Sequence, residues 1–299
     1  VPLLFLIYIN DIDKKLSRGT KIRLYVNDLK LYRELSSTDP IPDHVTFSND
    51  LNSILEWWNT CAMDISFEKC SHLTVGNHHL PLSLGTNTIP SFPPNSKDSL
   101  RDLGILITPS LDFEPHILQI TANAFKISNL SLKAICYPSI STYRKAFITY
   151  CRSLLEYSTV VWSPFLLKHI DLIEKVQRRF TKRAYLRCFP FSPIPCYENR
   201  LKIFNLAYLQ HRRIYFDLML CYKIIFNPNA HPELKTLFTL ARNRYSTRSH
   251  SYQIKLENYH FDLPFTFTIP LKIASLGFGT NFLLMSFRLS VNLSDLYLT

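Results

Sequence analysis

The stretch "KIRLYVNDLKLY", residues 21–32, determines how the first part of the chain is interpreted. Apolar residues alternate with other side chains on both sides of Asn27 and Asp28, which is the period of two that indicates a β-strand. Asparagine and aspartate both tolerate the positive φ values of tight turns. The stretch therefore predicts a β-hairpin with Asn27 and Asp28 at its tip, and a turn alone is enough to explain these two residues.

An α+β fold is predicted from the patterns that follow the hairpin. Residues 47, 51, 54, 55 and 58 are apolar at helical spacing, which indicates a helix with one buried face. Short extended segments follow, and "RDLGILI", residues 101–107, predicts one further strand. Beyond residue 112 apolar stripes predict helices, with prolines between them. These helices span residues 116–135, 141–157, 166–186 and 206–226.

The excess of positive over negative charge lies entirely in the second half of the chain. Residues 1–160 hold 15 basic and 15 acidic side chains, whereas residues 161–299 hold 19 basic and 8 acidic ones, so the entire net charge of +11 lies in the second half. Such an asymmetry indicates a polyanionic partner, with nucleic acid first and an anionic membrane surface second.

Composition excludes several classes of protein. A hydrophobic content of 46% over 299 residues is enough to form a buried core. The longest apolar run, residues 1–9, is far shorter than the roughly 20 residues of a membrane-spanning helix. The seven cysteines are scattered and form no C-x-x-C pair, so we expect free thiols in an intracellular protein, nuclear or cytoplasmic, without a signal peptide. Cys188, Cys196 and His211 do not have the spacing of a zinc finger.

Six stretches together resemble the reverse transcriptases of non-LTR (LINE-like) retrotransposons. "VPLLFLIYINDI", "GTKIRLYVNDLKLY", "LNSILEWWNTCAMDISFEKC" and "RDLGILI" are similar, in order and spacing, to the C-terminal palm motifs of that family. "SLDFEPHI" and "LLEYSTVVWSPFLLKHIDLIEKVQRRFTKRA" resemble its thumb, and the likeness covers roughly residues 1–222. The resemblance implies a partial palm over residues 1–111 and a helical, basic, thumb-like region over residues 112–226. We expect residues 227–299 to be an irregular, degraded tail.

The resemblance also assigns catalytic roles, with Asn27 as a departure from the family pattern. The family carries two aspartates at the positions of Asn27 and Asp28, where carboxylates hold two Mg²⁺ ions during phosphoryl transfer. Asn27 is a neutral amide, and the third family carboxylate would precede Val1, so Asp28 is left as the expected metal ligand of a weak Mg²⁺ site. Lys69 matches a family lysine near the triphosphate. A solvated surface lysine is the other interpretation of Lys69.

A basic helix face is the other candidate site. Five basic residues fall at i, i+3, i+4, i+7 and i+8, and they are Lys175, Arg178, Arg179, Lys182 and Arg183. A stripe of this kind can neutralise successive phosphates, although a solvated helix face explains it equally well. Tyr185, Phe189 and Phe191 follow closely, either to stack on bases or to fill the core.

These observations predict a fragment of an RNA-directed DNA polymerase that is inactive by itself. The partners implied by the resemblance are an RNA template, a DNA primer and deoxynucleoside triphosphates, with Mg²⁺ as cofactor and no membrane association. The alternatives are a non-catalytic nucleic-acid-binding protein that uses the basic half, or a translated retroelement relic.

Overall fold

A computed structural model describes residues 7–25, 28–36, 38–61, 64–65, 67–76, 95–96, 98–227 and 282–290, with residues 64–65, 67, 95–96 and 282–290 described by their backbone. The chain divides into two compact units. The first, called the sheet unit, comprises Val1–Asp112 and Phe278–Thr299, and the second, called the helical unit, comprises Phe113–Gly277. The expected α+β class is confirmed, because a small, mostly antiparallel sheet is accompanied by a larger number of helices.

The sheet unit contains one long helix, α1 (Ile41–Thr60), and short 3-10 turns at Ile12–Lys15 and Phe67–Lys69. Its strands are β1 (Thr20–Tyr25), β2 (Asp28–Glu34), β3 (Asp64–Ile65), β4 (Ser71–Val75), β5 (Asn95–Ser96), β6 (Leu100–Asp102), β7 (Ile105–Ile107) and β8 (Phe282–Ser290). The main sheet has the order β1-β2-β8-β4-β5, and β3 also pairs with β8.

The central strand of this sheet comes from the far end of the chain. β8 pairs antiparallel with β2 over seven positions, from Asp28 opposite Arg288 to Glu34 opposite Phe282. Its other edge pairs antiparallel with β4, from Ser71 opposite Ser286 to Val75 opposite Phe282. The expectation of an irregular tail is therefore wrong for residues 282–290, because both edges of this segment take part in ladders.

The predicted hairpin is formed by β1 and β2, but its tip lies one residue earlier than expected. Tyr25 pairs with Asp28 across the hairpin, and the two residues between them in sequence, Val26 and Asn27, lie outside the described residues. Asp28 is thus the first residue of β2 and not part of the turn.

Helix α1 buries the apolar stripe that its spacing predicts. Phe47, Leu51, Ile54 and Leu55 have no exposed surface, and Trp58 is 1% exposed. They pack in one cluster with Leu29 and Leu31 of β2. The prediction of a helix with one buried face is confirmed.

Residues 101–107 do not form the single strand expected from their composition. β6 and β7 pair as an antiparallel hairpin, with Asp102 opposite Ile105. The two turn residues, Leu103 and Gly104, both have positive φ, at 43° and 88°. Glycine adopts this conformation readily, whereas leucine does so rarely, which is why composition did not indicate the turn.

The helical unit contains seven α-helices among its described residues. They are α2 (Glu114–Ala134), α3 (Ile140–Ala146), α4 (Ser153–Glu156), α5 (Thr159–Trp162), α6 (Leu167–Cys188), α7 (Tyr197–Phe204) and α8 (Leu209–Phe226). A π-helix, Phe147–Arg152, joins α3 to α4, so the single helix predicted for residues 141–157 is interrupted. The core is centred on Phe180 of α6, whose ring lies 4.9 Å from that of Phe147 and 6.2 Å from that of Tyr143.

Candidate nucleic-acid interface

Helix α6 presents basic side chains on one side and apolar side chains on the other. Lys175, Arg178, Arg179, Lys182 and Arg183, which we call the basic face, are all exposed. The opposite side of the helix is buried, and its apolar members are Ile170, Ile173, Val176, Phe180 and Ala184. The buried apolar side anchors this 22-residue helix to the core of the helical unit. The charged side is therefore presented to solvent in a fixed orientation.

The arginines at the edges of the basic face are held by neighbouring groups. Arg178 donates to Asp171 Oδ1 at 3.0 Å, and its guanidinium lies 5.3 Å from the ring centre of Tyr197. Arg179 lies 5.7 Å from the ring centre of Phe125 on α2. Such contacts order the guanidinium groups before a ligand arrives, which lowers the entropic cost of binding.

Arg183, at the edge of the basic face near α2, donates to the side-chain oxygen of Asn129. Arg187 follows one turn later and donates to the backbone oxygen of Leu132. Both arginines are exposed although one of their nitrogens is engaged, so each keeps further donors for an anion.

The two lysines of the basic face make no such contacts. Lys175 and Lys182 are exposed, and neither forms an ion pair or a hydrogen bond with another described residue. They lie seven residues apart, which is about 10 Å along a helix. Two ammonium groups without an internal partner are available to an external anion.

The glutamate of the same helix is turned away from the basic face. Glu174 is 5% exposed and accepts hydrogen bonds from the backbone amide of Leu209, at 3.0 Å, and from the hydroxyl of Tyr197. Burial, together with the charge of Glu174, raises the pKa of Tyr197, so this hydroxyl remains a donor. Because the carboxylate of Glu174 is buried among donors, it does not offset the charge outside.

The aromatic residues near the end of α6 differ widely in exposure. Tyr185 is 9% exposed and belongs to the core, and its ring lies 5.0 Å from that of Phe189. Phe189 is 42% exposed, while Phe191 is fully exposed. Tyr137, in the connection between α2 and α3, is 89% exposed and was not singled out from the sequence. No local sequence signal separates exposed loop aromatics from buried ones.

The residues predicted to be catalytic lie in the sheet unit. β2 and β4 run parallel to each other because both pair antiparallel with β8, and Asp28 and Ser71 lie opposite Arg288 and Ser286. Asp28 and Lys69, which precedes Ser71 by two residues, therefore lie at the same end of the sheet, on either side of β8. Because β8 lies between them, β2 and β4 are two strand spacings apart, which is about 9–10 Å.

Asp28 is partly buried and Lys69 is exposed. Among the described residues no group of three or more histidine, cysteine, aspartate or glutamate side chains is arranged to hold a metal ion. Asp28 could supply one carboxylate to Mg²⁺, an ion that proteins often bind through one or two carboxylates together with substrate phosphates. The Mg²⁺ site stays a prediction.

Two of the buried cysteines, Cys70 and Cys151, have the properties of structural residues. All seven cysteines are free thiols. Burial raises the pKa of Cys70 and of Cys151 to about 12 in each case, so neither forms the thiolate that a nucleophile or a metal ligand needs.

Comparisons with known proteins give one match to a curated sequence. The chain is 27% identical over 140 residues to an uncharacterized protein of Caenorhabditis elegans, and this alignment covers 47% of the chain and 70% of the nematode protein. No protein-family model matches the chain, and no solved structure matches it. Within the part of the chain that the structure describes, no helix has the length and apolar character needed to span a bilayer.

Proposed function

We propose that the chain is a fragment of an RNA-directed DNA polymerase related to those of non-LTR retrotransposons, and that it binds nucleic acid through the basic face. The observation that carries the binding proposal is the exposure of five basic residues on one anchored helix, in the half of the chain that holds the entire charge excess. The polymerase origin rests on the order of the sequence motifs. A division of the chain near residue 112, with a helical unit after it, is compatible with that origin.

The physical basis of binding is the release of counterions from phosphates. Each phosphate that a lysine or arginine neutralises contributes about −0.7 to the slope of log K against log salt for a single strand and about −0.9 for duplex DNA. Asp171 is the one acidic residue exposed on α6, and it is paired with Arg178. Most of the positive charge of the basic face is therefore available to phosphates.

Substitution of the two lysines of the basic face tests the binding proposal. We expect Lys175→Gln combined with Lys182→Gln to weaken binding to a labelled single-stranded RNA and to make the salt slope shallower by about 1.4, because two phosphate contacts are lost. Fluorescence anisotropy over a series of salt concentrations measures both quantities. The pair Lys14→Gln and Lys15→Gln is a matched control, since these lysines are exposed in the sheet unit. An effect of equal size in the control pair would refute the assignment to α6.

Polymerase activity is expected to be absent from the chain by itself. Asn27 stands where the resemblance requires a carboxylate, and each 1.4 kcal/mol of lost transition-state stabilisation lowers the rate about tenfold. We therefore expect no Mg²⁺-dependent incorporation in a templated primer-extension assay. We expect Asp28→Ala to leave RNA affinity unchanged, because Asp28 lies in the sheet unit. Incorporation by the unaltered chain that disappears in Asp28→Ala would show that the chain is catalytic.

A further inference from the structure

A fully exposed phenylalanine lies just beyond the basic face. Phe191 is in the connection between α6 and α7, four residues after Arg187, and its side chain is as exposed as in an extended peptide. Burial of a phenylalanine side chain stabilises a folded protein, and this ring contributes no such stabilisation because it is fully exposed.

The connection that carries Phe191 is held by hydrogen bonds at both ends. The backbone amide of Phe189 donates to the oxygen of Tyr185 at 2.8 Å, and the amide of Ser192 donates to the oxygen of Phe189 at 3.2 Å. At the other end the buried Arg200 donates to the oxygen of Pro195 at 2.6 Å. The ring of Phe191 is therefore presented from an ordered turn, on which a binding side chain loses little freedom.

The charge around this ring indicates the chemistry of its partner. Arg183 and Arg187 precede it on α6 and are exposed, and no acidic residue occurs between Glu174 and Glu198. A nucleic-acid strand whose phosphates contact the basic face, and which continues towards the end of α6, would bring its bases close to Phe191. Bases in a duplex are already stacked on one another, whereas unpaired bases can stack on an aromatic side chain.

We propose that Phe191 is a stacking platform for an unpaired base, so that the basic face binds single-stranded nucleic acid in preference to a duplex. This inference rests on the proposed function, since the basic face supplies the phosphate contacts. Phe191 supplies the preference for a single strand.

The test compares one labelled RNA oligonucleotide of about 12 nucleotides as a single strand and annealed to its complement. We expect Phe191→Ala to lower single-strand affinity by about 5- to 150-fold, because one base–aromatic stack is lost, and to leave duplex affinity unchanged. Phe191→Trp should retain single-strand binding. Phe191→Leu should lose it, because leucine is apolar but has no π-face.

Controls separate this inference from the proposed function. Tyr150→Ala removes another exposed aromatic side chain of the helical unit and should have no effect. The Lys175→Gln and Lys182→Gln pair should weaken binding to both oligonucleotides. If the lysine pair has its effect and Phe191→Ala has none, the stacking proposal fails and the proposed function stands. If neither variant changes affinity, both fail.

Two further results would also overturn the stacking proposal. They are full single-strand binding by Phe191→Leu and an equal loss of single-strand and duplex binding in Phe191→Ala. Because Phe191 is fully exposed, each variant should fold like the unaltered chain, and circular dichroism checks this.

Discussion

Asp217 and Arg213 are two buried ionisable residues one turn apart on α8. Each is 2% exposed. Burial raises the pKa of Asp217 to about 7, against the opposing effects of the Arg213 charge and a hydrogen bond from Ser163. Burial also lowers the pKa of Arg213 to about 10. Desolvation thus outweighs the attraction between the two groups, as is common when charges are removed from water.

The raised pKa of Asp217 makes the stability of the chain depend on pH. Between the ordinary aspartate pKa of 3.8 and about 7, the folded chain holds a proton that the unfolded chain has released. The contribution of Asp217 to the free energy of unfolding therefore falls as pH rises through this range, and the loss is complete above about pH 7. The slope is at most about 1.4 kcal/mol per pH unit.

Asp217→Asn should abolish this dependence. Asparagine resembles the protonated aspartate, so we expect the stability of the variant relative to the unaltered chain to increase from pH 5 to pH 7. The expected increase is a few kcal/mol. Urea denaturation followed by circular dichroism at the two pH values measures it. Asp171→Asn, which replaces an exposed aspartate of the same unit, is the control. A stability difference that is the same at both pH values would contradict the prediction.

Helices with long apolar stripes could be predicted from the sequence because their pattern is local. The stripe of α1 is buried as expected, and the region predicted as helical from residue 166 corresponds to α6. The basic face follows the same period, so its position on one side of the helix could also be predicted. Periodicity gives the direction of a side chain relative to its own helix. This information is enough to predict the buried side of α1 and the basic face of α6.

Elements that depend on backbone strain or on distant partners could not be predicted. The β6–β7 turn at Leu103 lacks the Asn-Gly type of signal that marks most two-residue hairpins. The π-helix at Phe147–Arg152 interrupts an apolar stripe that a straight α-helix would satisfy equally well. The exposure of Phe191 depends on how the connection between α6 and α7 leaves the core, and no local pattern contains this information.

The sheet unit depends on a strand that is far away in sequence. β8 lies between β2 and β4, and no ladder joins β2 directly to β4 among the described strands. A pairing between residues 28–34 and 282–290 closes a very long loop, and patterns that are read over a few residues cannot reveal it. The sheet unit is therefore discontinuous in sequence, with the helical unit inserted before its last strand.

Met285→Pro tests whether β8 holds this sheet together. Met285 lies opposite both Leu31 and His72, and a proline there removes a ladder donor from the middle of a central strand. We expect hydrogen exchange of the amides of residues 28–34 and 71–75 to become faster by at least tenfold, which corresponds to about 1.4 kcal/mol. The amides of residues 167–188 should keep their protection, because they belong to the helical unit. Met285→Leu, which retains the backbone donor, should behave like the unaltered chain. Unchanged protection of both β2 and β4 in Met285→Pro would show that the sheet unit is stable without this strand.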